Sequence, residues 1–204
     1  RTQIQYFPIF VFIGLAVWNF FEKNLVQSVS LLKANRGIIT RVYLPKQILL
    51  LQRMAVNGVK MLITFLLILG MMLLFGVDFT WQILWLLPHL VLLFLLVFAA
   101  GSWCLHLGVF IEDLQNVSTV LLKLMFYFSG VFYDITTMVP APYNRWLITL
   151  NPVALVMQGC RGAILYRTGP DWGYLLGWTA AALLAAAGGT AMVYRYENSY
   201  GKVL

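Results

Sequence analysis

Charged residues are scarce in this sequence. Only 10% of its 204 residues are Asp, Glu, Lys or Arg, whereas 61% are hydrophobic, and the mean hydropathy is +0.83. A soluble domain of this length does not need so much apolar surface, which excludes most water-soluble classes. Several runs are free of charge over the length that a transmembrane helix needs. The composition therefore predicts an all-α integral membrane protein.

The sequence also lacks the common motifs of catalysis and ligand binding. Its two cysteines, Cys104 and Cys160, have neither metal-site nor redox spacing. No glycine-rich loop of the phosphate-binding type is present, and the two histidines, His89 and His106, stand apart on one long apolar segment. We expect packed histidines, no catalytic residue, no metal site, no cofactor on this chain and no nucleic-acid partner. Energy for any work must then come from a gradient or from a partner protein.

Acidic residues are half as frequent as basic ones, at 7 against 14. Six basic residues and no acidic one lie within Lys33–Lys60. Short loops rich in Lys and Arg stay on the cytoplasmic side, so we predict that residues 24–60 form a cytoplasmic loop. Its amphipathic part, Leu25–Leu51, is interrupted at Asn35 and Pro45 and predicts short helices lying at the inner membrane surface.

Five apolar segments are predicted to cross the bilayer. They are Gln5–Phe21, Met61–Val77, a segment from about Pro88 to Phe110, Val117–Tyr133 and Trp172–Tyr194. The first would run inward, so we expect a further span, the first of six, before residue 1. Small residues recur at every fourth position of the last span, which is compatible with packing inside one subunit or between two subunits.

The segment 134–171 contains too many prolines for an ordinary span. Asn is a favoured helix N-cap and Pro is favoured at the first helical position, so Asn151-Pro152 predicts the start of a helix. We predict a pair of short helices that enter the outer leaflet and return, which requires surrounding protein or water.

Lys123 is a cation within the predicted fourth span. Such a charge is costly in the membrane unless it reaches the interface, pairs with another group, or faces water. Its stem is long enough to reach the inner interface. Alternatively it faces a pore and attracts phosphate groups, with Tyr127 at i+4 on the same helix face.

Five short motifs follow one another in a fixed order and sidedness. They are Trp18-Asn19-Phe20-Phe21, Asn35 with Tyr43-Leu44-Pro45-Lys46, Phe110 to Leu114, Tyr127 to Tyr133, and Asn151-Pro152 followed by Arg161. Together they resemble the permease subunit of ABC-2 type exporters, in the branch that exports polysaccharide or teichoic acid. The resemblance extends over residues 1–204. It implies that these residues form one ABC-2 transmembrane domain that lacks the family's first span.

The resemblance implies a homodimeric pore in a bacterial cytoplasmic membrane, with two copies of a separate subunit that binds ATP and Mg. Residues expected to couple the permease to that subunit are Asn35, Arg36, Ile38, Ile39, Arg41, Val42 and Pro45. The fourth visible span and the expected preceding span would line the channel, through Lys123, Tyr127, Phe128, Phe132 and Tyr133. Residues expected at the outer gate are Asn151, Pro152 and Arg161.

The implied substrate is a lipid-linked cell-surface polymer, and we favour an anionic, teichoic-acid-like chain over a neutral glycan. An ABC-2 permease for drugs or lipids is the alternative within transport. A membrane-embedded enzyme or assembly scaffold is the alternative of another class. A neighbouring reading frame with an ATPase phosphate loop would favour transport, and neighbouring glycosyltransferases would favour a polymer.

Overall fold

The computed structural model describes residues 6–39 and 44–203, and the regular secondary structure in these ranges is entirely helical. In chain order, the helices are α1 (Phe7–Ala34), α2 (Arg36–Ile39), α3 (Lys46–Leu74), α4 (Leu86–Phe110), α5 (Leu114–Phe128), α6 (Ile135–Met138), α7 (Tyr143–Leu150), α8 (Pro152–Arg161) and α9 (Trp172–Val203). A 3-10 helix, Trp81–Trp85, leads into α4, and a π-helical turn, Gly162–Tyr166, follows α8. The predicted all-α membrane fold is confirmed.

The long helices fix the two ends of the bundle. Helices α4 and α9 run in the same direction, because Trp85 packs edge-on against Trp172 at their starts while His106 Nδ1 lies 2.7 Å from the Tyr200 hydroxyl near their ends. Helix α1 is parallel to them, and α3 runs the opposite way, with Gln47 at its start accepting a 3.3 Å hydrogen bond from Ser102.

This arrangement places residues 35–39, residues 44–45, residues 111–113 and the end of α9 at one end of the bundle. Residues 75–85 and 129–171 lie at the other end. Basic residues of the predicted cytoplasmic loop lie at the first end, so the positive-inside rule assigns that end to the cytoplasm. Within residues 6–39 and 44–203, four helical segments are long and apolar enough to cross a membrane, and the bent pair formed by α7 and α8 with the π-helical turn would make a fifth.

The predicted breaks at Asn35 and Pro45 are confirmed, since α1 ends at Ala34 and α3 begins at Lys46. The predicted short surface helices are wrong for residues 25–34 and 46–51, which belong to the long helices α1 and α3. Two polar residues of α1, Asn24 and Ser28, are buried between helices instead. The buried amide of Asn57 donates to Asn24 Oδ1 at 3.0 Å and to Oε1 of the exposed Gln27 at 3.0 Å, so Asn24 and Asn57 are paired without water. Polar groups paired in this way are tolerated between membrane helices.

Helix α5 occupies the place of the predicted fourth span, but it covers Leu114–Phe128 rather than Val117–Tyr133. Its 15 residues rise about 22 Å, which is less than the hydrocarbon thickness of about 30 Å. The helix ends because Ser129 is followed by Gly130 in the left-handed region, with a φ of 68°. The remaining depth on the outer side is filled by the segment from Ser129 to Tyr166.

Close helix contacts depend on small residues. A Cβ atom at Gly108 of α4 would overlap the Val29 backbone of α1. On α9, the Ala185 carbonyl accepts a hydrogen bond from Trp103 Nε1 at 3.0 Å, and Gly189 also packs against Trp103. The inner half of the small-residue ridge therefore packs within the subunit, whereas a Cβ at Gly177 would meet open space.

Candidate functional site

A cavity of about 460 Å³ lies between α1 and α5. Its lining residues are Trp18, Glu22, Lys123, Phe126 and Tyr127. The first two are one turn apart on α1, and the other three share one face of α5 at helical spacing. The cavity thus combines three aromatic rings with one carboxylate and one ammonium group.

The aromatic side of the cavity is a packed cluster. The Trp18 ring meets the Phe126 ring edge-on, with centroids 5.4 Å apart, and Trp18 itself is buried. Phe126 in turn packs against Tyr127 and Phe132 at 5.6 and 5.5 Å. Edge-to-face pairs at these distances hold their rings in fixed orientations. Tyr127 completes the wall and remains largely exposed, so its face is available to a ligand.

The two charged groups play different parts. Glu22 accepts a 2.7 Å hydrogen bond from Trp18 Nε1, which fixes both its carboxylate and the indole. Lys123 is exposed on α5, and no ion pair joins it to Glu22. The sequence predicted that Lys123 either reaches the interface or faces a pore. The structure places it at a cavity together with Tyr127, and a pore at this cavity stays a prediction.

Helix α5 presents nearly all of its surface outside the subunit core. Within its 15 residues, only Leu122 is buried. The predicted channel residues Phe128 and Phe132 are more than half exposed, and the Tyr133 hydroxyl donates a 2.8 Å hydrogen bond to the Tyr127 carbonyl. Tyr127, Phe132 and Tyr133 are therefore brought together with Phe126 in one aromatic strip at the outer end of α5. Phe128 lines a separate cavity, and a channel lined by the predicted set stays a prediction.

Beyond this strip, toward the outside, a second cavity of about 480 Å³ separates α5 from α7. It is almost entirely apolar, and its lining includes Phe128, Tyr143, Trp146 and Leu150. Tyr143, Trp146 and Leu150 are each more than 60% exposed, which is unusual for large apolar groups unless lipid or another chain covers them.

The predicted helix start at Asn151-Pro152 is confirmed. The Asn151 side chain accepts hydrogen bonds from Val153 N at 3.1 Å and Ala154 N at 3.2 Å, and its amide donates to Ser129 Oγ at 3.0 Å. It therefore caps α8 and ties it to the end of α5. The axis bends by 102° between α7 and the helix that begins at Pro152. A re-entrant pair and a broken span both show such a bend, so the re-entrant pair stays a prediction.

Arg161 lies at the other end of α8 and is completely buried. Its guanidinium donates to the carbonyls of Gly130 at 2.9 Å, Val131 at 2.8 Å and Phe10 at 3.4 Å, and it lies 3.5 Å from the centre of the Phe10 ring. This one side chain joins α8, the turn after α5 and the outer end of α1. Arg161 is thus in the predicted outer segment, where its contacts fix the position of α8.

Those predicted coupling residues that the structure describes lie at the cytoplasmic end. Asn35 caps α1, its backbone N–H and its side-chain amide both donating to the Leu31 carbonyl, and Arg36–Ile39 form α2. Ile39 is half-buried against the core rather than fully exposed. Pro45 immediately precedes α3. Arg41, Val42 and the side chain of Ile38 lie outside the part of the chain that the structure describes.

The sequence analysis missed Trp18, Glu22 and Phe126 as members of the site. In the sequence, Trp18 contributes only to the first of the five motifs, and Glu22 contributes to none. Their spacing of four residues indicates one helix face, but only the packing of α1 against α5 shows which face meets Lys123.

A sequence model of the ABC-2 type transporter family matches residues 2–165. The chain belongs to the ABC-2 type transporter family. The predicted resemblance is confirmed, and this ABC-2 chain is a membrane subunit of a transporter rather than an enzyme. With several apolar helices of membrane length, it is a multi-pass protein of the bacterial cytoplasmic membrane.

Curated relatives of this ABC-2 chain are named for one kind of export. It is 28% identical over 189 residues to the O-antigen export system permease protein RfbA of Myxococcus xanthus, an alignment that covers 90% of this chain and 71% of the relative. Two proteins of the same name from Klebsiella pneumoniae are 26% identical over 79% and 82% of this chain. The chain spans less than two thirds of these two proteins, at 62% and 64% of their lengths.

Proposed function

We propose that this chain is the permease of an ATP-driven exporter that moves a lipid-linked cell-surface polysaccharide out of the cytoplasm. The observation that carries the proposal is the cavity between α1 and α5, where Trp18, Phe126 and Tyr127 stand beside Glu22 and Lys123. Aromatic faces pack against the apolar faces of sugar rings, while charged groups bond to hydroxyl groups. The names of the relatives, which describe export of O-antigen, support the same class of substrate.

The proposal includes two kinds of partner. ATP and Mg are bound by a separate ATP-binding subunit, present in two copies, which contacts the cytoplasmic end around Asn35 and α2. A second copy of this chain completes the channel as a homodimer. The nearly unburied surface of α5 supports the second point, because a helix that covers so little of its own subunit needs a partner or lipid.

The charge of the polymer follows from the balance between Lys123 and Glu22. Lys123 alone favours a phosphate-bearing, teichoic-acid-like chain, as the sequence analysis expected. Glu22 lines the same cavity and opposes that attraction, because like charges repel a polyanion. The pair therefore supports a neutral or weakly charged glycan, with teichoic acid as the alternative substrate.

Export of radiolabelled lipid-linked glycan tests the proposal in proteoliposomes that contain this chain, its ATP-binding subunit and ATP. We expect ATP-dependent export by the wild type and severalfold slower export by Tyr127→Ala at unchanged protein level, because Tyr127 is exposed at the cavity. Lys123→Gln and Glu22→Gln separate the substrates. With a polyanionic chain, Lys123→Gln should slow export and Glu22→Gln should accelerate it. With a neutral glycan, both variants should have small effects. Glu22→Gln keeps an oxygen that can accept from Trp18 Nε1.

ATP hydrolysis that responds to drugs or free lipids, but not to lipid-linked glycan, would contradict the proposal and favour the alternative ABC-2 function. A failure of this chain to co-purify with any ATP-binding subunit would contradict it at an earlier step. Export by Lys123→Gln at the wild-type rate with both kinds of polymer would show that Lys123 only reaches the membrane interface.

A further inference from the structure

A groove between α1 and α3, on a different part of α1 from the cavity described above, encloses about 80 Å³. Its two basic residues stand on opposite walls, Lys23 on α1 and Lys60 on α3. The full lining is Ala16, Asn19, Phe20, Lys23, Asn57, Lys60, Met61 and Thr64. Among these described residues there is no carboxylate.

The positions of the two lysines are fixed by the buried amides beside them. Asn24, next to Lys23, accepts a 3.0 Å hydrogen bond from Asn57, which lies three residues before Lys60. This contact locks the two antiparallel helices together at one level. Each lysine stem then starts from a rigid point on its own wall, and both exposed ammonium groups belong to one groove.

The groove lies near the middle of α1 and α3, where the uncharged outer half of each helix ends. Lys60 is the last charged residue before the uncharged outer part of α3, which runs from Met61 to Leu74. Glu22 and Lys23 are the first charged residues of α1 after its apolar first half. Long basic side chains at this depth extend to the headgroup region. The groove therefore faces the headgroups of the inner leaflet.

Neither lysine makes an ion pair with a carboxylate in the described ranges, where the salt bridges are Lys46–Glu197 and Arg167–Asp78. The neighbouring Glu22 accepts from Trp18 and lines the other cavity. Two cations that share a groove without a counter-charge repel one another unless an anion lies between them.

We propose that this groove binds the phosphate of an anionic phospholipid in the inner leaflet, held between Lys23 and Lys60. The volume suits a phosphate group rather than a whole lipid, and the Asn19 amide is a further donor in the lining. Ile63 and Leu67 continue the Lys60 face of α3 toward the membrane centre and are more than half exposed, which provides a surface for an acyl chain. Basic grooves between membrane helices on the cytoplasmic side are suited to such headgroups.

The test uses the purified full chain in nanodiscs of phosphatidylcholine with a minor fraction of phosphatidylglycerol. Native mass spectrometry counts the phosphatidylglycerol that remains bound after the nanodisc is removed. Lys23→Gln/Lys60→Gln should weaken retention about 30-fold, since each basic residue near the surface contributes about fivefold. Lys23→Arg/Lys60→Arg keeps both charges and should retain as much phosphatidylglycerol as the wild type. Lys33→Gln/Arg195→Gln removes the same charge elsewhere at the cytoplasmic end and should retain wild-type binding.

Equal losses of bound phosphatidylglycerol in Lys23→Gln/Lys60→Gln and in the control Lys33→Gln/Arg195→Gln would overturn the proposal, because they would show only a general attraction of basic residues to the membrane. Wild-type retention of phosphatidylglycerol by Lys23→Gln/Lys60→Gln would also overturn it. Inorganic phosphate and glycerol phosphate distinguish lipid from free phosphate. We expect neither to displace the lipid, and displacement at concentrations similar to those of the lipid would overturn the assignment to a membrane headgroup.

Discussion

Arg161 should hold the outer segment in place, and its replacement should release α8. In Arg161→Met, the buried carbonyls of Gly130 and Val131 lose their donors at 2.9 and 2.8 Å. A hydrogen bond to a charged group contributes about 1.5–3 kcal/mol, so two give about 3–6 kcal/mol. Removing a buried charge recovers part of this, because the guanidinium no longer has to be desolvated. We therefore expect a net loss of about 3 kcal/mol for local opening of α8.

Cys160 offers a local readout of that opening. Its thiol is completely buried beside Arg161, whereas Cys104 is partly exposed and should first be replaced by Ser. A loss of about 3 kcal/mol increases the open population about 100-fold, since each 1.4 kcal/mol is a factor of ten. The rate of maleimide labelling at Cys160 should rise accordingly. Arg161→Lys, which keeps the charge but cannot reach several carbonyls at once, should give an intermediate rate.

Arg167→Met is the matched control, because Arg167 lies in the same segment but makes an exposed salt bridge to Asp78. Exposed pairs contribute little, so labelling of Cys160 should stay near the wild-type rate. If Arg161→Met labels no faster than the wild type, the guanidinium contacts do not stabilise the outer segment, and the reasoning is refuted.

Three further predictions follow from single contacts. Asn151→Ala removes the cap of α8 and should cost about 1 kcal/mol, measured as faster labelling of the buried thiol in that helix; an unchanged rate would contradict the capping role. Gly159→Ala should lower the free energy of unfolding by about 1–3 kcal/mol, measured by thermal unfolding, because its Cβ would overlap the His89 ring. Gly70→Ala, whose Cβ meets open space, should leave it unchanged. Gly37→Trp should uncouple ATP hydrolysis from export at normal protein level. A Cβ at Gly37 also meets open space, so the protein should fold, but the bulk of Trp would block docking of the ATP-binding subunit. Normal export by this variant would argue against a coupling role for α2.

Local signals predicted the features that depend on a few neighbouring residues. Asn151-Pro152 was sufficient for the start of α8, because the cap and the first helical position are both set by adjacent side chains. Lys123 and Tyr127 share a cavity because a spacing of four places them on one helix face. The membrane class followed from composition, since bilayer solvent demands apolar surface over the length of each span.

Features that depend on contacts between distant segments were not predictable. Asn24 and Ser28 resemble residues of an amphipathic surface helix, and only their burial between α1 and its neighbours shows that α1 continues. Glu22 is separated from Lys123 by a hundred positions, so its place in the same cavity depends on how α1 packs on α5. The end of α5 was placed too late because Gly130 was not recognised as a left-handed residue.

The most direct test of the central claim is to trap the polymer in the cavity between α1 and α5. A photo-crosslinking residue replaces Tyr127, which lines the cavity, or Tyr194, a tyrosine on α9 that is also more than half exposed but does not line the cavity. Light is applied while the assembled exporter hydrolyses ATP in the presence of lipid-linked glycan. We predict a glycan adduct at position 127, dependent on ATP, and none at position 194. An absence of adduct at 127, or equal adducts at both positions, would contradict the assignment of this cavity to the export path.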